Sequence, residues 1–251
     1  MTGAPAAVVA ALRAAGCVFA EEEAALLAAD GRDLDALVAR RVAGEPLEQV
    51  LGWAAFAGVR VLLDPGVFVP RQRTALLVEQ AVALGGQVVV DLCCGSGAVG
   101  LAVAAGLGDV ELVAADVDPV AVACARRNGV DARAGDLFDA LPGTLRGRVD
   151  LLCVNAPYVP TAAIAGMPPE ARDHEPTAAL DGGADGLDLH RRVAAGAGGW
   201  LAPGGSLLLE TSDVQADGTL AAVAAGGLAA RLVTDDDRGA AVVVGTRVRG
   251  S

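Results

Sequence analysis

A run of β-branched residues that breaks into glycine constrains this chain more than any other feature. Val88-Val-Val-Asp-Leu-Cys-Cys-Gly-Ser-Gly97 reads as a buried parallel strand whose backbone turns sharply into the helix that follows. Downstream, apolar runs and helical patterns alternate with little slack. The pattern gives a helix from Ala98, a strand Leu112 to Ala115, a helix from Pro119, and strands Val130 to Ala134 and Val149 to Val154. Such alternation predicts crossover units around a parallel sheet. The last of these strands ends in Asn155-Ala-Pro-Tyr158. Ligands of an open α/β sheet bind at the carboxyl ends of its strands, so both segments should deliver their polar residues to one cleft.

The flanking regions read more simply. Met1 to Val42 is rich in alanine and leucine with charges at helical spacing, which predicts short amphipathic helices. Phe56 to Leu63 alternates as a strand or hairpin and stops at Asp64-Pro65-Gly66; Val67 to Arg71 is extended. Apolar residues return to helical spacing from Thr74 to Leu84, with Thr74 placed as an N-cap. Thr161 to Gly186 is a long polar, proline-bearing loop, and loops of that length tend to be functional. A helix from Leu187 to Ala197, a strand Leu207 to Glu210, a helix from Val214 and strands Ala230 to Thr234 and Ala240 to Val248 complete the pattern. The expected division is a helical cap over 1–45, a hairpin and linker over 46–75, and the main α/β domain over 76–251.

Charge and cysteine usage exclude several classes. With 251 residues, no lysine and a net charge of −12, the chain lacks the basic stripe of a nucleic-acid surface, so no direct nucleic-acid partner is expected. Five cysteines, none in a C-x-x-C pair, give neither a zinc knuckle nor a disulfide framework and suit a reduced, cytoplasmic protein. No metal site is expected. His174 and His190 are isolated and read as solvated loop and helix positions. The charge-free stretch Val193 to Leu209 is broken by glycines and proline, unlike a membrane helix.

Gly95-Ser-Gly97-Ala-Val-Gly100 satisfies the dinucleotide fingerprint, with Asp116 about 20 residues on at the next strand end. That pattern alone suits a nicotinamide enzyme or an adenosyl-sulfonium enzyme equally. Asp91 favours the second, because a carboxylate beside the turn would repel a pyrophosphate and attract the amino group and sulfonium of S-adenosylmethionine. Asp116 would take the ribose hydroxyls, and Asp136-Leu137 would face the adenine edge.

Asn155 offers one carbonyl oxygen and the Ala156 peptide a second. Two adjacent acceptors match a planar NH2 group, whose two N–H bonds they can receive. Gripping both hydrogens favours build-up of charge on nitrogen and aims it at a methyl donor. Pro157 stiffens the turn, and Tyr158 can lie against the planar group.

With these segments in view, the chain resembles the HemK-like glutamine N5-methyltransferases, which methylate the glutamine of a Gly-Gly-Gln motif in peptide-chain release factors. The likeness runs from about Glu45 to the C-terminus. It passes through Glu45-Pro-Leu, Phe56-Ala-Gly, Val69-Pro-Arg71, Asp91 to Gly97, Asn155 to Tyr158, Glu175-Pro176, Ala179 to Leu187, Leu209-Glu210 and Gln215. The resemblance implies a Rossmann-like, seven-stranded S-adenosylmethionine-dependent methyltransferase with a short helical N-terminal domain and a protein acceptor such as a release factor. It implies that Cys93, Cys94, Gly95, Ser96, Gly97, Asp116, Leu137 and Asn155 line the cofactor site, and that Asn155, Ala156, Pro157 and Tyr158 hold the glutamine. Three departures stand out. Ala156 replaces the family's usual proline, Arg73 stands where the family tends to be acidic, and the N-terminal helical part is shorter. The competing readings are methylation of a small-molecule or nucleobase amine, a nicotinamide oxidoreductase, and a catalytically silent binding module.

Overall fold

A computed structural model describes residues 5–249. Four short helices come first: α1 (Ala6–Ala14), α2 (Ala20–Ala29), α3 (Leu34–Val42) and α4 (Leu47–Leu51). Each turns an apolar face inward, and Leu12, Leu27, Leu37 and Val50 form a small core of their own. The Asp33 carboxylate caps α3, accepting from the Asp35 and Ala36 amides. Arg41 on α3 donates to buried Glu23 on α2 at 2.7 and 3.2 Å, locking the bundle. Because α4 belongs to this core, the helical unit continues past the residue 45 expected as its edge.

A hairpin follows, β1 (Trp53–Phe56) paired antiparallel with β2 (Val59–Leu62). Helix α5 (Ala75–Leu84) then leads into the main sheet. Its elements are β3 (Val88–Leu92), α6 (Ala98–Leu107), β4 (Glu111–Asp116), α7 (Pro119–Arg127), β5 (Asp131–Ala134) and β6 (Val149–Val154). The segment Thr161 to Gly186 is not bare loop. It folds into short 3₁₀ turns around α8 (Pro169–His174). The chain ends through α9 (Asp188–Ala197), β7 (Leu201–Thr211), α10 (Ala216–Ala225), β8 (Ala229–Asp235) and β9 (Ala240–Thr246).

The seven strands lie in the order β5-β4-β3-β6-β7-β9-β8, all parallel except β9. Strand order reverses between β3 and β6, which are direct neighbours. That crevice is where an open α/β sheet binds ligands. Register pairs Leu92 with Val154, so the glycine turn after β3 and the Asn-Ala-Pro-Tyr turn after β6 leave the sheet side by side.

Side-chain alternation along β3 divides the core. Val88, Val90 and Leu92 pack on one face with Val193, Trp200 and Val223 of the α9–α10 side, while Val89 packs on the other with Leu77 and Ala102 of α5 and α6. Both faces are covered, which is why the strand can be continuously apolar. No helix among the described residues is long and apolar enough to cross a membrane.

Candidate active site

A cavity of about 390 Å³ opens at the carboxyl ends of β3, β4 and β6. Cys93 to Ser96 and Asn155 to Tyr158 both line it. The Asn155 amide is oriented by the residue that precedes α5: Nδ2 donates to Thr74 Oγ1 at 3.3 Å. Its Oδ1 and the Ala156 carbonyl receive no hydrogen bond from any described residue. Two unfilled acceptors therefore stand on consecutive residues of the wall, and Ala156 itself is buried.

The turn is held from behind. The Tyr158 carbonyl accepts from Gln215 Nε2 at 2.7 Å, and the same nitrogen donates to the Asp185 carbonyl at 2.9 Å. Gly186, at φ +76°, lies so close that a Cβ built on it would overlap both Gln215 Nε2 and Tyr158 O. Gly186→Ala should therefore cost about 3 kcal/mol or more through backbone strain and overlap. For a chain of this size that is a fall in Tm of about 6–12 °C, and methyl transfer should fall with it. Unchanged Tm in a calorimetric scan would refute this close packing.

The other wall carries the acidic residues. Asp116 ends β4, with Oδ2 accepting from the Gly95 amide and Oδ1 from the Asp118 amide, each at 2.9 Å. Burial raises its carboxyl above the ordinary range against the pull of those amides. Gly95 has φ +54°, and a Cβ there would meet nothing within 4 Å; the space above the turn is open for a ligand. Cys93 and Leu137, both lining the cleft, hold φ of 57° and 49°. Non-glycine residues in the left-handed region cost about 1–3 kcal/mol each and gather at ligand sites. Asp136 also lines the cleft, paired with Arg192 at 2.6 Å.

Two expected cofactor residues lie outside the cleft wall. Asp91 shares its parity along β3 with Val89, so its side chain points toward α6, where Oδ2 accepts from the Gly100 amide at 2.8 Å. Burial pushes its carboxyl up to about 8, opposed by the Gly100 amide and assisted by Asp116. Gly97 sits at the start of α6, against Val130 and Ala125. Asp91 thus supports the turn from below, through the Gly100 amide.

The segment between Pro160 and Gly186 is fastened to the loop before α5. Arg71 Nη2 donates to both oxygens of Glu175 at 2.7 Å, and the Val69 amide donates to Glu175 Oε1 at 3.2 Å. The two residues therefore join their loops beside the cleft, which Arg71, Met167, Pro176 and Leu180 line.

A family model described as "Methyltransferase small domain" matches residues 58–165. The release factor glutamine methyltransferase of Geobacter sulfurreducens is 38% identical over 220 residues, covering 84% of this chain and 76% of that protein. The chain belongs to the release factor glutamine methyltransferase family. A 4-amino-L-phenylalanine/4-methylamino-L-phenylalanine methyltransferase of Streptomyces pristinaespiralis is also 38% identical, over 191 residues, covering 71% of this chain and 65% of that one. A methyltransferase from Pyrococcus furiosus superposes with a TM-score of 0.55 at 15% identity, over 75% of this chain and 89% of that one, and shares the fold.

As a methyltransferase of this family, the chain uses S-adenosylmethionine. The cleft fits that cofactor: Asp116 keeps acceptor capacity at the strand end, the space over Gly95 is open, and the carboxyl groups of Asp116, Asp118 and Asp136 on the wall favour a cation. A pyrophosphate would meet the same carboxylates unfavourably.

Three residues of this glutamine methyltransferase relative were misread or missed in the linear sequence. Thr74 occupies the N-cap position of α5 but makes no side-chain cap; its hydroxyl serves Asn155 instead. His190 is fully buried rather than solvated, with Nδ1 on Thr219 Oγ1 at 2.9 Å and Thr219 in turn on Thr211 Oγ1. Burial pushes its imidazole down to about 4, so it is neutral and structural. Arg73 carries no linear signal of its place, yet Nη2 donates to the Tyr158 hydroxyl at 2.7 Å.

Proposed function

We propose that this chain methylates the side-chain nitrogen of a protein glutamine, with a peptide-chain release factor as acceptor, in the cytoplasm. The observation that carries the reading is the pair of unfilled acceptors at Asn155 and Ala156, one strand away from the open turn at Gly95. When bound, S-adenosylmethionine supplies an electrophilic methyl group on a sulfonium. Asp116 would hold the ribose hydroxyls, and Asp136-Leu137 would flank the adenine.

Asn155 Oδ1 and the Ala156 carbonyl would receive the two N–H bonds of the glutamine amide. An amide nitrogen is a poor nucleophile because its lone pair is delocalised. Two carbonyl dipoles on its hydrogens stabilise the positive charge that grows on nitrogen as it takes the methyl, and Thr74 keeps the Asn155 amide facing the right way. Orientation of this kind supplies up to about 7–11 kcal/mol, so no general base is needed before transfer. The extra proton leaves afterwards, to water.

A second reading, methylation of a small-molecule amine, is favoured by the relative that acts on 4-amino-L-phenylalanine. The same two oxygens suit an aromatic NH2 group equally well. Incubation with methyl-labelled cofactor and purified release factor, followed by mass spectrometry of the digested protein, separates the two. Label on a glutamine is the expected result. Label on aromatic amino acids alone would move the assignment to the second reading, and transfer to no acceptor would sink both.

A further inference from the structure

Three guanidinium groups line the cleft: Arg71, Arg73 and Arg192. Two of them are closely paired with carboxylates through Nη2, Arg71 with both oxygens of Glu175 at 2.7 Å and Arg192 with Asp136 at 2.6 Å. Arg73 differs. Its one carboxylate contact is Nε to Glu210 Oε1 at 3.4 Å, beyond the usual N–H···O range. Nη2 donates to a neutral phenol, Tyr158, and Nη1 has no partner among the described residues. Glu210 is a weak counter-ion in return: burial raises its carboxyl above the ordinary range, and its Oε2 is buried without a partner. The charges of the cleft are thus segregated. Asp116, Asp118 and Asp136 lie on the side assigned to the cofactor, and the cation without a close carboxylate lies beside the acceptor turn.

Arg73 also faces a second cavity of about 310 Å³, which it lines together with Tyr158, Thr211, Ser212, Asp213 and Val214. Arg73 and Tyr158 border both spaces. An acceptor whose nitrogen reaches Asn155 would pass its remaining atoms beside this guanidinium. The geometry points to Arg73 as the residue that selects the methyl acceptor, by binding a carboxylate that the acceptor carries near the nitrogen to be methylated. This deepens the proposed function and rests on it. A guanidinium with free Nη donors forms charge-assisted hydrogen bonds with carboxylates, for which its planar fork is suited. Asp213 on the wall of the second cavity confines such an anion to the Arg73 end. The carboxylate has two sources, an acidic residue beside the glutamine of a protein or the α-carboxylate of a free amino acid.

Calorimetric titration of the full chain saturated with S-adenosylhomocysteine tests this without turnover. Two matched pairs serve as probes. One is N-acetyl-glutaminyl-glutamate amide against N-acetyl-glutaminyl-glutamine amide; the other is L-glutamine against L-glutaminamide. In at least one pair the carboxylate member should bind about ten- to hundredfold more tightly, the worth of a charge-assisted hydrogen bond. The pair that discriminates identifies the source. Arg73→Gln should erase the preference and Arg73→Lys should keep part of it. Equal affinity within both pairs of the wild-type protein, binding of none of the four, or a preference that survives in Arg73→Gln would overturn the proposal. The wild-type comparison stands whether or not the Gln variant folds beside buried Glu210. Failure of S-adenosylhomocysteine itself to bind would instead count against the methyltransferase reading.

Discussion

Asn155→Ala is expected to lower kcat about a thousandfold while the dissociation constant for S-adenosylmethionine changes only several-fold. The substitution removes one of the two acceptors proposed to grip the NH2 group, and the Ala156 carbonyl alone cannot fix the plane of the nitrogen. A group held by one hydrogen bond rotates about it, so the lone pair spends little of its time in line with the methyl. Loss of the amide also frees the Thr74 hydroxyl, to which Nδ2 donates at 3.3 Å. The backbone of the turn should persist, because Gln215 and the close approach of Gly186 hold the Tyr158 carbonyl independently of residue 155. Asn155→Asp makes the sharper control. It retains an acceptor oxygen and accepts from Thr74, but it adds a negative charge beside the cofactor, so cofactor affinity should be preserved while transfer stays well below wild type. Single-turnover kinetics alongside calorimetry separate the two quantities. Wild-type turnover in Asn155→Ala would remove the amide clamp from the mechanism.

What could be read from the linear chain follows the range of the interactions involved. The valine run, the glycine turn and the strand-ending Asn-Ala-Pro-Tyr are local signals, set by backbone sterics and burial within a few residues, and they locate the cleft correctly at the ends of β3 and β6. The register that pairs Leu92 with Val154 is a long-range fact, and the adjacency of the two turns emerges only with it. Side-chain direction is the next thing to escape. Asp91 has the right chemistry for a cation and sits on the right strand, but alternation along β3 aims it at α6 and the Gly100 amide. Thr74 has the right identity and position for a cap, yet its hydroxyl finds Asn155, 81 residues away. His190 looked like a polar residue on an exposed helix face. Its burial depends on Thr219 and Thr211, supplied by α10 and β7, which no window of a few residues contains. Arg73 was visible as a departure from the family pattern, but its contact with Tyr158 spans 85 positions.

Asp116→Ala is expected to raise the dissociation constant for S-adenosylmethionine about ten- to hundredfold, the value of one or two charge-assisted hydrogen bonds to the ribose. The effect has a second source in the turn itself. Asp116 ties the Gly95 amide and the Asp118 amide at 2.9 Å each, so its removal leaves two part-buried donors without their acceptor and loosens the backbone that borders the open space over Gly95. Asp116→Asn separates these contributions, since one amide oxygen can still accept from Gly95 while the negative charge is gone. Its affinity should fall between wild type and Asp116→Ala. The same carboxyl predicts a pH dependence. Burial holds it above the ordinary carboxylate range, and only the ionised form can accept from a ribose hydroxyl while satisfying both amides. Cofactor affinity in the wild-type protein should therefore weaken as pH falls toward that raised pKa, and rise to a plateau above it. In Asp116→Asn that slope should flatten. Calorimetry across the acid range reads both effects, and a dissociation constant unchanged in Asp116→Ala would take the ribose contact away from this residue.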